Sequence, residues 1–411
     1  MRVLALTNLY PPHFYGGYEL TCRDVLERWR ARGHQVGVLT SRLPGAVDAP
    51  EDRNVWRRLR PYWDWEAASE RRGSALASLL AETANRRHLR RAIRRMAPDV
   101  VSVWHLGGLS IGLLNTVEGL GLPMGLVVGD DWLCYLPGLV PWQAHARRSR
   151  LWRLAGRAAG LPTGPPTLHG SVAAFVSSFT AARTAACWPD LAGRVVPPGI
   201  DPVDFPAGGP SASPRRAWTG RLLYVGRVDP AKGAHTAVAA MRHLPADHTL
   251  TIIGGGHSQH RADLAAYARD LGLGERVQFD RCPRGELRGR YLAADVVVFP
   301  SEWDEPFGLV PLEAMACGRP VVATARGGSA EYLRDGDNCV VFPAGDAQAL
   351  ADAVRRLAAD DALRNRVVAA GRTTAARYTV DRYADELESL HEEVLAARPG
   401  GPGGSMHRGG G

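Results

Sequence analysis

The chain has 411 residues, 45 % hydrophobic and 22 % charged, with a formal charge of +8 carried almost wholly by arginine. That length and balance are those of an ordinary globular protein with ample core, and two domains are the natural expectation. The charge could attract nucleic acid, anionic lipid or an anionic substrate, but no nucleic-acid motif accompanies it, which disfavours nucleic acid as a partner. Six cysteines (Cys22, Cys134, Cys187, Cys282, Cys317, Cys339) are scattered without a Cys-x-x-Cys pair. They fit a reduced, cytoplasmic protein without a zinc site.

Apolar runs of strand length alternate with helical stretches throughout, which predicts a doubly wound α/β fold. The first apolar run is too short for a signal peptide and reads as a buried strand, 3–6. Gly16 and Gly17 follow it and precede a helix predicted over 18–32. Adjacent glycines let a backbone approach a diphosphate closely, or simply make a turn. The next strand is 36–40. Residues 75–95 look helical, and Arg86, Arg87, Arg90, Arg91, Arg94 and Arg95 share helical spacing there. Such a cluster suits a membrane surface, an anionic acceptor or a solvated helix face. The stretch 100–117 has one ionisable residue, His105, but its glycines point to a strand feeding a helix rather than a membrane span. His105 follows the strand 99–103, and Asp130 follows the strand 124–128. Carboxyl ends of strands are where α/β folds bind ligands. His105 is a candidate to hydrogen-bond a ligand there, or a satisfied core histidine, and Asp130 a candidate for ligand binding or proton handling, or a helix cap.

Residues 206–220, rich in Pro, Gly, Ser and Ala, read as a linker. The strand–helix pattern then restarts, with strands at 222–225, 249–253, 277–279, 296–299, 321–323 and 339–342. After the first of these come Arg227 and Lys232-Gly233. Lys232 is the only lysine of the chain. A composition that has replaced lysine everywhere else points to a position where arginine does not serve. The ammonium is a compact point charge and the guanidinium a planar fork, and together they suit one diphosphate. After the strand 296–299 come Glu305, then Phe307-Gly308-Leu309, then Glu313 in a helix. Carboxylates repel phosphate and accept from hydroxyls, whereas the first amides of a helix suit phosphate. The glutamates are therefore assigned to sugar hydroxyls. Asp335-Gly336-Asp337 is turn chemistry rather than a metal motif. A helix over 380–396 precedes a Gly-rich tail, 398–411, expected to be disordered.

In order and spacing these motifs resemble those of the family 4 glycosyltransferases of GT-B architecture. Glu305-x7-Glu313 matches the paired-glutamate motif, Gly226-Arg227 with Lys232-Gly233 the diphosphate motif, and Pro11-Pro12 with Gly16-Gly17 the glycine loop. The resemblance covers nearly the whole chain and is strongest from 221 to about 354. It implies two Rossmann-like domains, 1–205 for the acceptor and 221–378 for a nucleotide sugar bound in the cleft between them. It also implies a helix, 379–397, crossing back to the first domain. Transfer would retain the anomeric configuration. Arg227 and Lys232 would hold the diphosphate, Glu313 the ribose, and Glu305 with the amides of Phe307, Gly308 and Leu309 the sugar. Gly254 would lie near the nucleotide and Arg281 near the base, while Gly16 and Gly17 would meet the diphosphate and the acceptor. His105 and Asp130 join Glu305, Arg227 and Lys232 as candidate catalytic groups. The chain departs from the family at Gly129, where a histidine often precedes the aspartate. No cofactor or metal is expected; a UDP-sugar is the default donor and a saccharide, lipid-linked or secondary-metabolite hydroxyl the acceptor. The expected location is cytoplasmic, with peripheral contact at the inner membrane face through Arg86–Arg95. A GT-B epimerase and a non-catalytic sugar-nucleotide or polyanion binder are the alternatives.

Overall fold

The computed structural model describes residues 1–43, 54–64, 69–70, 74–138, 141–162, 164–206, 217–256 and 258–397. The expected tail, and most of the expected linker, lie outside the described residues. The chain divides into two units, Met1–Val196 with the chain from Tyr383, and Pro197–Arg382.

In the first unit β1 (Arg2–Leu6) leads to α1 (Gly17–Ala31), β2 (Gln35–Ser41) and β3 (Val55–Leu59). A small antiparallel pair, β4 (Trp63–Asp64) and β5 (Ser69–Glu70), precedes α2 (Ala75–Met96). Then come β6 (Val100–Val103), α3 (Gly112–Glu118), β7 (Met124–Val128), α4 (Trp132–Tyr135), α5 (Pro141–Arg148) and α6 (Arg150–Ala158). The unit's sheet is completed by β8 (Val172–Phe175), α7 (Ser178–Cys187) and β9 (Gly193–Val195). The sheet is parallel, in the order β3-β2-β1-β6-β7-β8-β9. β6 and β7 are buried along their whole length, as strands covered by helices on both faces must be. The stretch 100–117 is thus a strand and a helix. No helix among the described residues is long and apolar enough to cross a membrane.

The second unit repeats the plan. It runs β10 (Arg221–Val225), α8 (Ala234–Ala240), β11 (Thr249–Ile253), α9 (Ser258–Asp270), β12 (Val277–Asp280), α10 (Arg284–Ala293) and β13 (Val296–Phe299). It continues with α11 (Val310–Ala316), β14 (Val321–Ala323), β15 (Val340–Val341), α12 (Ala347–Ala359), α13 (Asp361–Ala375) and α14 (Val380–Ala396). Its parallel sheet has the order β12-β11-β10-β13-β14-β15. From Tyr383 onward α14 belongs to the first unit, where Trp29 Nε1 donates to the Ala384 carbonyl at 3.1 Å.

Two expectations are corrected. The first unit ends at Val196 rather than 205, because Ile200 pairs with Thr379 and the Phe205 ring meets Tyr291 at 5.9 Å. Cys134 and Cys187 form a disulfide, with Cα atoms 5.6 Å apart, instead of standing reduced. The two lie 53 residues apart in sequence, and only the packing of α4 on α7 makes them neighbours.

Strand order reverses between β1 and β6 in one unit and between β10 and β13 in the other. Such switch points leave a crevice at the carboxyl ends of the two central strands. β1 and β6 deliver the glycine loop and His105 there; β10 and β13 deliver Arg227–Lys232 and Glu305.

Candidate active site

In the second unit the loop after β10 docks on the segment after β13. Gly233 has φ +68°, and a Cβ there would fall 1.9 Å from the Pro300 carbonyl oxygen. Only glycine allows that approach. The amides of Glu302 and Trp303 donate to the Ala231 carbonyl at 2.9 and 3.0 Å. The docking places Lys232 Nζ 2.8 Å from both oxygens of Glu305 and 4.7 Å from the centre of the Trp303 ring. Glu305 is buried, and Gly327 packs so tightly on its backbone that a Cβ would fall 2.5 Å from the Glu305 carbonyl oxygen. The Gly328 amide then donates to that same carbonyl at 2.6 Å.

Glu313 lies on α11, where Oε2 accepts from the Tyr291 hydroxyl at 2.6 Å. Burial raises the pKa of its carboxyl, and the Tyr291 hydrogen bond and Arg284 oppose that shift. Gly308 has φ +88° and its carbonyl accepts from the Tyr332 hydroxyl at 2.5 Å. Phe307 packs on Tyr332 and Tyr378, and Leu309 forms the N-cap of α11. Gly254 serves the backbone: a Cβ there would fall 1.7 Å from the Gly226 carbonyl oxygen, while Val228 N–H donates to Gly255 at 2.7 Å. The two loops that precede Arg227 and follow β11 are thus zipped together. Arg281 is exposed after β12, and its own amide bonds to Asp280 at 2.7 Å. Among the described residues no hydrogen bond or ion pair joins its guanidinium to Glu305, Lys232 or Glu313.

In the first unit His105 and Asp130 come together, with His105 Nε2 3.2 Å from Asp130 Oδ2. The other oxygen of Asp130 accepts the Trp132 amide at 2.9 Å, so the cap role and the histidine contact coexist. The Tyr135 hydroxyl lies 3.3 Å from His105 Nε2. Gly107 is required beneath the ring, since a Cβ there would fall 2.3 Å from His105 Cε1. Burial alone would depress the His105 pKa, but Asp130 and then Glu19 more than offset it, so the net shift is upward. A raised pKa means that the pair stabilises the fold below the unfolded value and loses that contribution as pH rises through the folded one. Asp130→Asn is expected to lower the His105 pKa in an NMR titration of the histidines. An unchanged midpoint would uncouple the two groups.

Tyr18, which motif reading passes over, explains the departure at Gly129. A Cβ on Gly129 would fall 1.7 Å from Tyr18 Cε2. The Tyr18 hydroxyl is within bonding distance of the Val127 and Trp104 carbonyls, 2.5 and 3.0 Å, and its ring lies 5.2 Å from that of His105. The tyrosine ring occupies the space that a side chain at 129 would need. Gly129→Ala should cost about 1–3 kcal/mol by overpacking. A double-mutant cycle with Tyr18→Ala in denaturant should show strong coupling; additive effects would refute the packing account.

Gly16 donates its amide to Glu19 Oε2 at 3.0 Å, capping α1. A Cβ at Gly17 would meet no described atom within 4 Å. The arginines of α2 do not form a single face: Arg86 donates to the carbonyls of Ala159 and Gly160, whereas Arg91 and Arg95 turn toward β3. Tyr291, Trp303, Tyr332 and Gly327 also escape motif reading, because each acts through a neighbour distant in sequence.

Two parallel doubly wound sheets, each with its chemistry at the switch point, define the architecture of GT-B glycosyltransferases. The chain matches the model for glycosyl transferases group 1 over residues 218–374 and that for glycosyltransferase family 4 over residues 15–204, and it belongs to glycosyltransferase family 4. It is 38 % identical over 219 residues to a D-inositol 3-phosphate glycosyltransferase of Xylanimonas cellulosilytica, covering 50 % of this chain and 52 % of that protein. It is 33 % identical over 208 residues to the lipopolysaccharide core biosynthesis glycosyltransferase LpsE of Rhizobium meliloti, covering 50 % and 56 %. The chain thus spans about half the length of the curated relatives it matches. In fold it is similar to the sucrose-phosphate synthase of Thermosynechococcus elongatus, with TM-score 0.72, 23 % identity, and coverage of 97 % of this chain and 100 % of that one. It is also similar to Anabaena HepE in complex with UDP-glucose, with TM-score 0.69, 20 % identity, and coverage of 96 % and 100 %.

Proposed function

We propose that the protein transfers a sugar from a nucleoside-diphosphate sugar to a hydroxyl acceptor, with retention of anomeric configuration. The observation that carries this reading is the placement of Lys232 against Glu305 where β10 and β13 end, beside the loop of Arg227. Departure of a nucleoside diphosphate leaves negative charge, and a fixed ammonium with a guanidinium stabilises it as it develops. With those two cations at the diphosphate, and the Phe307–Leu309 amides at the sugar beside Glu305, the reaction needs no metal. In this reading donor phosphate draws Lys232 toward itself, and the Glu305 carboxylate turns to a sugar hydroxyl. Glu313, oriented by Tyr291, takes the ribose hydroxyls. The first unit reads the acceptor with Gly17, His105 and Asp130. A UDP-sugar is the default donor; the relatives named above act in glycoside biosynthesis, and a saccharide or lipid-linked acceptor is proposed by that likeness.

The test is a thermal-shift panel of UDP-, GDP-, ADP- and dTDP-sugars on the wild type and Lys232→Ala. Stabilisation by one donor, lost in the variant, is expected. The absence of any shift, together with salt-sensitive polyanion binding, would overturn the transferase reading.

A further inference from the structure

At the edge of the first unit α2 and β3 enclose a cavity of about 310 Å³. From α2 it is lined by His88, Arg91 and Arg95, whose spacing puts them on one face of the helix. The buried face of α2 carries Leu89 and Ala92; beside it His88 is half-buried and Arg91 and Arg95 stand exposed at the rim of the cavity. From β3 come Trp56 and Arg58. The register with β2 slips here, so that Thr40 pairs with Arg57 and Ser41 with Leu59. Arg58 is therefore the extra residue of a bulge, a device that re-aims side chains. The indole is seated deliberately: a Cβ on Gly37 would fall 3.0 Å from it, and the Arg95 guanidinium lies 5.7 Å from its ring centre.

Arg58, Arg91 and Arg95 are exposed, and among the described residues no carboxylate pairs with them. The only acid of α2, Glu82, accepts from Tyr62 at 2.8 Å and Ser110 at 2.6 Å. His88 senses the field, since its pKa is lowered first by burial and then by Arg58, Arg60 and Arg91. The site is separate from the one already described. β3 lies two strands from β1 and three from β6, which deliver the glycine loop and His105, about 10 and 14 Å at the usual strand spacing.

We propose that this cavity binds an organic phosphate. Three guanidiniums match phosphate oxygens with paired hydrogen bonds. The Trp56 ring and Leu39 give the cavity an apolar floor that the organic part of the ligand covers. The same chemistry is offered by a soluble sugar phosphate and by a phospholipid headgroup.

The experiment titrates the full chain with glucose 6-phosphate, and separately with phosphatidylcholine vesicles made with and without phosphatidylglycerol. Each is repeated on Arg58→Gln/Arg91→Gln and on Arg58→Lys. Binding of at least one probe by the wild type, weakened about tenfold or more in the double variant and less in Arg58→Lys, is expected. Loss confined to glucose 6-phosphate names a soluble ligand. Loss confined to phosphatidylglycerol vesicles names a headgroup. Indistinguishable wild type and double variant with both probes would overturn the site.

Discussion

Lys232→Ala is expected to lower glycosyl transfer by about 10²- to 10³-fold, the usual loss when one fixed donor to a developing charge is removed. The same change leaves Glu305 without its cation. The Glu305 side chain is only 7 % exposed and that of Lys232 17 %, so breaking the pair should cost about 3 kcal/mol of stability. The two effects separate in Lys232→Ala/Glu305→Gln. Neutralising the orphaned carboxylate should return most of the stability, read by denaturant unfolding, and none of the activity. Recovery of transfer in the double variant would show that Lys232 serves the fold rather than the reaction.

Gly233→Ala is expected to be nearly as damaging through geometry alone. The substitution forces a side chain into φ +68° and drives its Cβ to 1.9 Å from the Pro300 carbonyl oxygen. The left-handed backbone costs about 1–2 kcal/mol. Displacement of the Pro300 segment adds more, for a total of about 2–4 kcal/mol. The motif must then lift off the segment that carries Glu302 and Trp303. A shift of about 1 Å in a positioning group costs about 10²-fold in rate. Wild-type turnover in Gly233→Ala, measured with the donor found in the thermal-shift panel, would mean that the docking of the two loops does not set the position of Lys232.

Legibility in the sequence follows the range of the interaction. Strands such as β6 and β13 were readable because a short, valine-rich run with proline close by is a local signal. The glutamate pair and the Lys232-Gly233 motif were readable for a related reason: their spacing places them after a strand and before a helix. The sequence did not show that Glu305 and Lys232, 73 residues apart, bond directly to one another. Nor did it show that Glu313 is held by Tyr291. Gly254 looked like a ligand loop, and the structure reveals the backbone contact with Gly226 that requires a glycine there.

By itself, then, the sequence determined the alternation of strands and helices, the two sheets, and which loops carry the charged and glycine residues. These rest on hydrophobic period and on φ preferences that each segment expresses locally. Only the tertiary structure decided the partners. It joined Cys134 to Cys187, filled the space at Gly129 with Tyr18, and gathered Arg58, Arg91 and Arg95 around one cavity. Each of these depends on how a helix is rotated against an element far away in the chain. A cysteine, a glycine or an arginine carries no periodic mark of the neighbour it will meet.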